Sequence, residues 1–295
     1  MADKKKVWIG LIALILGTLG NLGLMFLVSN FINDEIDWNM LLVINPDVYI
    51  PILNELMVFI TNCSMAIFAV GFIFWEIGYA TYRKDPSNPQ NQQKAVRLVI
   101  IMGIIIAIIG AIIIFIKYEY KTVGIVFAAV VIVGFWMLGK TYVKLKIEYL
   151  DRFSVAMTMI IISIVLNAAL SEQLIKYIVQ RWRPMNDYYS SYNTAVVLIE
   201  DAITRSGYSY VSGHSSALFA LVTPIVFLVK DRKIKGTLIV WAALHALSRV
   251  YVAAHFPLCI TMGSIMGIIY GTLAYFVVSY WFPQGLQYLM EKNRK

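Results

Sequence analysis

Long apolar runs constrain this chain more than any other feature of its sequence. Eight stretches are each long enough to cross a bilayer as a helix, and they lie at residues 7–29, 51–82, 95–117, 122–143, 153–177, 214–230, 236–254 and 259–282. Only 14% of the 295 residues are charged, against roughly 25% in ordinary soluble domains. The sequence therefore predicts an all-α fold: a polytopic membrane helix bundle with about eight transmembrane helices.

The basic residues predict how this bundle is oriented. With a cytoplasmic N-terminus and eight crossings, the basic connections and the C-terminal tail EKNRK all lie in the cytoplasm, and the acidic first loop lies outside. These topology signals account for the net charge of +8, so we expect no nucleic-acid partner. Arg181, Arg183 and Arg205 lie in an outer loop against this rule, and they require another explanation.

The stretch KYIVQRWRP, residues 176–184, supplies the first pair of unusual cations. In a continuous helix, Lys176 and Arg183 would return to one face about 10 Å apart along the axis, where both could bind one anion. Pro184 disfavours helical geometry at Arg183, so the helix is expected to end near there. Basic side chains that snorkel to a membrane surface are the alternative explanation.

The stretch VSGHSS, residues 211–216, has the pattern of a helix start. Ser212 is a good N-cap, and Gly213 lets a ligand approach the backbone. The free N–H groups of the first turn form an anion site, and His214 stands beside them. A capped helix with an interfacial histidine would show the same pattern.

The stretch SRVYVAAHFPLC, residues 248–259, contains Arg249 and His255. Six residues do not bring them to one helical face, so the chain must bend, and Pro257 gives a reason. In the eight-crossing topology all three stretches meet at the outer face. Three cations and two histidines in one layer indicate a phosphate site, with one histidine as nucleophile and the other as acid. Such a site needs no metal or other cofactor.

These stretches resemble the three motifs of the type 2 phosphatidic acid phosphatase (PAP2) superfamily, which includes soluble vanadium haloperoxidases. The motifs are Lys, six residues, Arg-Pro; then Pro-Ser-Gly-His, with Val211 here in place of proline; then Ser-Arg, five residues, His, three residues, Asp. The resemblance covers Lys176 to the C-terminus. It implies a haloperoxidase-like core in residues 151–295, after about four N-terminal transmembrane helices in residues 1–150, two more than the usual core has.

The resemblance also implies the role of each residue. His255 would be the nucleophile that forms a phosphohistidine, and His214 would be the general acid. The phosphate would be held by Lys176, Arg183, Arg249, Ser212 and Gly213.

Cys259 stands where the family usually has an aspartate that orients the nucleophile. Four explanations remain open: a weaker orienting group suffices, as in glucose-6-phosphatases; another acid substitutes; activity is lost; or Cys259 itself attacks as a thiolate. The candidate substitute acids are Asp187, Glu200 and Asp201.

The resulting expectation is a membrane phosphatase that hydrolyses a lipid phosphate or diphosphate monoester at the outer face. A phosphotransferase with the same intermediate, an inactive phosphate-binding protein and a transporter are the alternatives. The expected partners are this substrate and membrane lipids.

The row Gly263, Gly267 and Gly271 predicts a close helix contact, either inside the bundle or in a homodimer. His245, one turn before Arg249, is expected to be buried and hydrogen-bonded to a neighbouring helix, or else to support the site.

Overall fold

The structure is a computed structural model that describes residues 4–31, 35–45, 51–62, 75–85, 87–118, 121–144, 147–189, 195–197, 207–229 and 231–281. Over these ranges the elements are helical, apart from an isolated bridge between Trp182 and Tyr208. The chain divides into two compact units, of which the first contains Met1–Cys63 and Ile162–Pro283 and the second contains Ser64–Ile161. Within the first unit the N-terminal helices pack with helices of the C-terminal half, and the predicted boundary at residue 150 between N-terminal helices and a catalytic core stays a prediction.

The first unit contains three N-terminal helices and the helices of the three motifs. The N-terminal helices are α1 (Lys4–Phe31), α2 (Glu35–Ile44) and α3 (Pro51–Asn62). After the boundary at residue 162 come the end of α7 (Ile147–Leu166), a π-helical segment (Asn167–Ile175), α8 (Lys176–Val179), a 3-10 turn (Asp187–Tyr189), α9 (Gly213–Leu228), α10 (Arg232–Tyr251) and α11 (Pro257–Trp281).

The second unit is built from α4 (residues 75–83), α5 (Pro89–Tyr118), α6 (Lys121–Lys144) and the first part of α7. Helices α5 and α6 are in close contact, since a Cβ atom at Gly103 would overlap the Phe135 side chain. Helix α7 bonds to α4 through the Ser154 hydroxyl, which donates to Glu76 Oε2 at 2.6 Å.

The glycine row of α11 packs against α9 in the same chain. A Cβ atom at Gly263 would collide with the main-chain oxygen of Ser212, and one at Gly267 would collide with that of Ser216. One turn further on, Gly271 faces Thr223 and Pro224. The row therefore brings α11 onto α9, which is the internal packing that the sequence predicted as one of two alternatives.

The membrane character of the fold is confirmed. In the described part of the chain, four helices are long and apolar enough to cross a bilayer: Lys4–Leu27, Pro89–Ile108, Ser154–Val179 and Pro257–Trp281. Helix α9 is a shorter apolar helix. The predicted number of eight stays a prediction, partly because residues 63–74 of the expected second helix lie outside the described residues.

The predicted acidic first loop is in part a helix. Residues 35–44 form α2, in which Asp37, Trp38 and Leu41 are buried. Trp38 packs edge-on against Phe256, with ring centroids 5.0 Å apart. The side of this short helix that carries Asp37, Trp38 and Leu41 is therefore buried in the first unit, whereas Ile36, Met40 and Val43 are exposed.

Candidate functional site

The first motif begins on a helix and continues after that helix has ended. Lys176 lies in α8, and Gln180 ends the helix in the left-handed conformation at φ 52°, where its N–H donates to the Lys176 carbonyl oxygen at 3.0 Å. Arg183 is therefore not on the helical face that its spacing from Lys176 would give it. It follows a short extended segment that bridges to Tyr208.

The second motif begins α9 as predicted. Ser212 is the N-cap, and its Oγ accepts from the Ser215 N–H at 3.4 Å and from the Ser215 hydroxyl at 3.1 Å. The Ser212 N–H itself donates to the Cys259 carbonyl oxygen at 3.0 Å. His214 follows with an exposed side chain. The cap thus ties the start of α9 to the first turn of α11.

Gly213 faces a carboxylate that the sequence analysis did not single out. A Cβ atom at residue 213 would overlap the carboxylate of Glu172. Glu172 also forms an ion pair with Lys176, with Oε2 and Nζ 2.6 Å apart. One carboxylate therefore lies between the first-motif lysine and the helix start of the second motif.

The third motif forms a tight corner, as the sequence predicted. Helix α10 ends at Tyr251, Ala253 has a positive φ of 53°, and α11 begins at Pro257. Proline suits this first helical position because its missing N–H would have no helical partner there. The N–H of His255 donates to the Arg249 carbonyl oxygen at 3.2 Å, so the corner holds both motif residues close together.

Arg249 is buried beside the N-terminal helices. Its Nη1 donates to the Thr61 hydroxyl of α3 at 3.2 Å. Thr61 is also within 3.0 Å of the Ser248 hydroxyl. A helix outside the three motifs therefore helps to hold the third-motif arginine.

His255 is buried and is oriented by the backbone. Its Nδ1 lies 2.7 Å from the Ser209 carbonyl oxygen. Because a carbonyl can only accept, Nδ1 carries the proton and Nε2 keeps its lone pair. Cys259 does not take this position; its Sγ accepts from the Ser209 hydroxyl at 3.2 Å, and that hydroxyl lies 3.3 Å from Nδ1.

The charges of four predicted site residues reach His255. Burial lowers the pKa of His255 well below its ordinary value of 6.5. Repulsion from four neighbours lowers this pKa further; in decreasing order these are Arg183, Arg249, Lys176 and His214. All three motifs thus contribute groups to one electrostatic neighbourhood, although their catalytic roles stay predictions.

Arg183 has the features of an anion-binding side chain. Its Nε is buried and has no hydrogen-bond partner among the residues that the structure describes, and buried donors are rarely left in that state. Burial lowers the pKa of Arg183, and the charge of Glu172 partly offsets this. A phosphate oxygen is the kind of acceptor that this guanidinium suits.

Arg181, which the predicted topology places outside the cytoplasm, has a structural partner instead of a free place for an anion. Its Nη1 lies 2.6 Å from Asp37 Oδ2 in a buried ion pair, and its guanidinium stacks over the Phe256 ring at 4.0 Å. The other carboxylate oxygen of Asp37 accepts from the Leu258 N–H at 2.9 Å. Arg181 therefore links α2 to the start of α11. Arg205 lies outside the described residues.

His245 is buried as predicted, but the predicted hydrogen bond is not found among the described residues. Neither of its ring nitrogens has a hydrogen-bond partner within the described ranges. Its ring is stacked near that of His214, with centroids 6.1 Å apart and planes at 19°. His245 therefore lies beside a predicted site residue.

Of the three proposed substitute acids, only Asp187 lies in the part of the chain that the structure describes, and it does not take over the position of the family aspartate. Asp187 is exposed in a 3-10 turn, whereas His255 is buried. Glu200 and Asp201 lie outside the described residues.

Four residues of this neighbourhood were not identified from the sequence. Glu172 carries a usable signal, because it is a charged residue in an apolar helix four positions before Lys176. Asp37 was noted only as part of an acidic loop. Ser209 contacts His255, and Thr61 contacts Arg249. Both contacts join distant parts of the chain, so no local sequence pattern predicts them.

Comparison with known proteins finds one family model that matches part of the chain. Residues 154–283 match the family model described as the PAP2 superfamily. The matched segment contains all three motifs and ends just after α11. No curated protein and no solved structure matches the chain significantly.

Proposed function

We propose that this membrane protein hydrolyses a lipid phosphate or diphosphate monoester through a phosphohistidine on His255. Its residues 154–283 match the family model of the PAP2 superfamily, which points to phosphatase-type activity on phosphate esters. The observation that carries the proposal is the state of His255. Its Nδ1–H is held by the Ser209 carbonyl, so Nε2 is the nitrogen with a lone pair, in a neighbourhood that contains three cationic side chains.

In the first step, Nε2 of His255 attacks phosphorus and a P–N bond forms as the P–O bond to the leaving group breaks. His214 donates a proton to the leaving oxygen, so the lipid alcohol, or lipid monophosphate, departs with that proton. Lys176, Arg183 and Arg249 stabilise the charge on the phosphoryl oxygens during the transfer. The N–H groups at the start of α9 add further donors.

In the second step, water attacks phosphorus and the P–N bond breaks. His214, now neutral, accepts a proton from this water. The products are inorganic phosphate and His255 with its Nε2 lone pair restored. The same two histidines therefore serve both steps, with His214 first as acid and then as base.

The contacts of Cys259 favour an active enzyme with a weaker orienting group. The family aspartate would orient Nδ1–H, and here a main-chain carbonyl accepts that proton. The thiol accepts from Ser209 and, at 3.7 Å, from Arg181, so it contributes to packing around Ser209. These contacts favour neither an attacking thiolate nor loss of activity.

A lipid substrate is favoured by the surroundings of the site. Lys176 ends a candidate membrane span and Cys259 lies at the start of another, so the phosphate would bind where a lipid headgroup meets the apolar core. The positions of the basic connections support an outer-face location with cytoplasmic termini.

The test is phosphate release by the purified full-length protein in detergent micelles. Phosphatidate, a prenyl diphosphate, phosphatidylglycerol phosphate and glucose 6-phosphate form the substrate panel, with His255→Ala as the inactive variant. We expect release from one or more lipid substrates and an acid-labile phosphoenzyme that is absent in His255→Ala. Phosphate transfer to an added lipid alcohol, in preference to water, would instead identify a phosphotransferase. Release that persists in His255→Ala would exclude the proposed nucleophile.

A further inference from the structure

Glu172 lies in the proposed phosphate site but has no part in the mechanism above. It is carried by the π-helical segment Asn167–Ile175, inside a candidate membrane span. An ionised carboxylate in such a span is costly, and residues of this kind usually serve a function. The segment is itself irregular, and π-helical turns occur often at functional sites.

The Glu172 carboxylate contacts the same groups that a substrate phosphate would use. One oxygen lies 2.6 Å from Lys176 Nζ. The carboxylate lies against Gly213, the first residue of α9, where free N–H groups favour an anion. Its negative charge also raises the pKa of the Arg183 guanidinium.

A simple ion pair on one helix does not account for this placement. The i,i+4 spacing explains the contact with Lys176, but it does not require the carboxylate to lie over the start of another helix. At Gly213 any larger residue would collide with it. The absence of a side chain at residue 213 therefore leaves room for the Glu172 carboxylate in this position.

We propose that Glu172 is a specificity-determining residue that occupies the phosphate site as an internal competing anion. This inference rests on the proposed function. A substrate phosphate must displace the carboxylate from Lys176 and from the first turn of α9. Glu172 also cancels one of the three positive charges of Lys176, Arg183 and Arg249. It lowers the affinity for free phosphate and favours monoesters over the more highly charged diphosphates.

The test compares Glu172→Gln with the wild-type protein by isothermal titration in detergent micelles, using inorganic phosphate and orthovanadate as probes. Glutamine keeps the side-chain length and removes the charge, so we expect both probes to bind about tenfold more tightly. The ratio of diphosphate to monoester hydrolysis should rise in the same variant. Asp85→Asn is the matched control, because it removes one negative charge from an exposed residue outside the site and should leave both readouts unchanged.

The outcomes separate a failure of the role proposed for Glu172 from a failure of the proposed function. Probe binding that is equal or weaker in Glu172→Gln, by a wild-type protein that does hydrolyse phosphate esters, overturns the role of Glu172 alone. If neither protein binds phosphate or vanadate, the phosphate site fails and the inference fails with it. Should Glu172→Gln not fold, Glu172→Asp replaces it. The shorter carboxylate withdraws from α9, so about threefold tighter binding is expected, and unchanged binding contradicts the inference.

Discussion

The Nδ1 atom of His255 lies 2.7 Å from the main-chain carbonyl oxygen of Ser209. A main-chain acceptor has no formal charge, so it stabilises a histidine cation less than a carboxylate would. It still selects the tautomer and holds the ring. The proposed nucleophile is therefore oriented without the aspartate that the family usually has at position 259.

Replacement of Cys259 by alanine is expected to reduce kcat/KM by less than about tenfold. The thiol is a weak acceptor, and the Ser209 carbonyl that holds Nδ1–H remains in place. Phosphate release by the purified variant measures the effect, with His255→Ala as the inactive reference. Complete inactivity of a folded Cys259→Ala protein would favour the thiolate nucleophile instead.

Replacement of Asp37 by asparagine is expected to destabilise the protein by about 3 kcal/mol, because it removes one partner of a buried ion pair. The ion pair joins Asp37 and Arg181 at 2.6 Å. Chemical unfolding in detergent micelles measures the change. The double variant Asp37→Asn with Arg181→Gln removes both charges and should recover part of the loss. Equal stability of Asp37→Asn and the wild-type protein would show that the ion pair contributes little.

Replacement of Gly267 by alanine should separate α9 from α11 and destabilise the first unit by about 1–3 kcal/mol, the usual effect of overpacking. The added methyl group would collide with the main-chain oxygen of Ser216. Gly20→Ala in α1 is the matched control, because nothing lies within 4 Å of a Cβ atom there. It should be neutral or slightly stabilising, since alanine favours helices. The unfolding midpoints of the two variants decide the question.

The acid limb of the pH–rate profile should lie below pH 6.5. In the proposed mechanism His255 attacks only as the neutral imidazole, and both burial and the neighbouring cations lower its pKa below the ordinary 6.5. A lowered pKa extends the neutral form to more acidic solutions, so kcat/KM is retained as the pH falls through 6.5 and is lost only further down. Rates measured between pH 4 and 8 test this. An acid limb above pH 6.5 would contradict the described surroundings of His255.

Local signals in the sequence were enough to predict where two of the motif helices, α9 and α11, begin. Ser212 caps α9 and the chain bends before Pro257, as expected from the preferences of serine and proline. The last turn before Arg183 was less predictable, because Gln180 ends the helix in a left-handed conformation that few residues other than glycine adopt.

The partners of the charged residues could not be predicted in this way. The sequence predicts that Arg181 lies on the unexpected side of the membrane, but only the tertiary structure shows that Asp37, 144 residues earlier, pairs with it. The same holds for Thr61 at Arg249 and for Ser209 at His255. The residue type gives the charge of a side chain, but the identity of its partner depends on how distant helices pack.

Helices α2 and α3 pack against the motif helices, so a fragment that is expressed as a working unit must include them. A fragment cut at the ends of the family match, residues 154–283, would lose the carboxylate that neutralises Arg181 and the hydroxyl that accepts from Arg249. Recombinant shortening guided by homology alone would thus discard groups that the retained half relies upon.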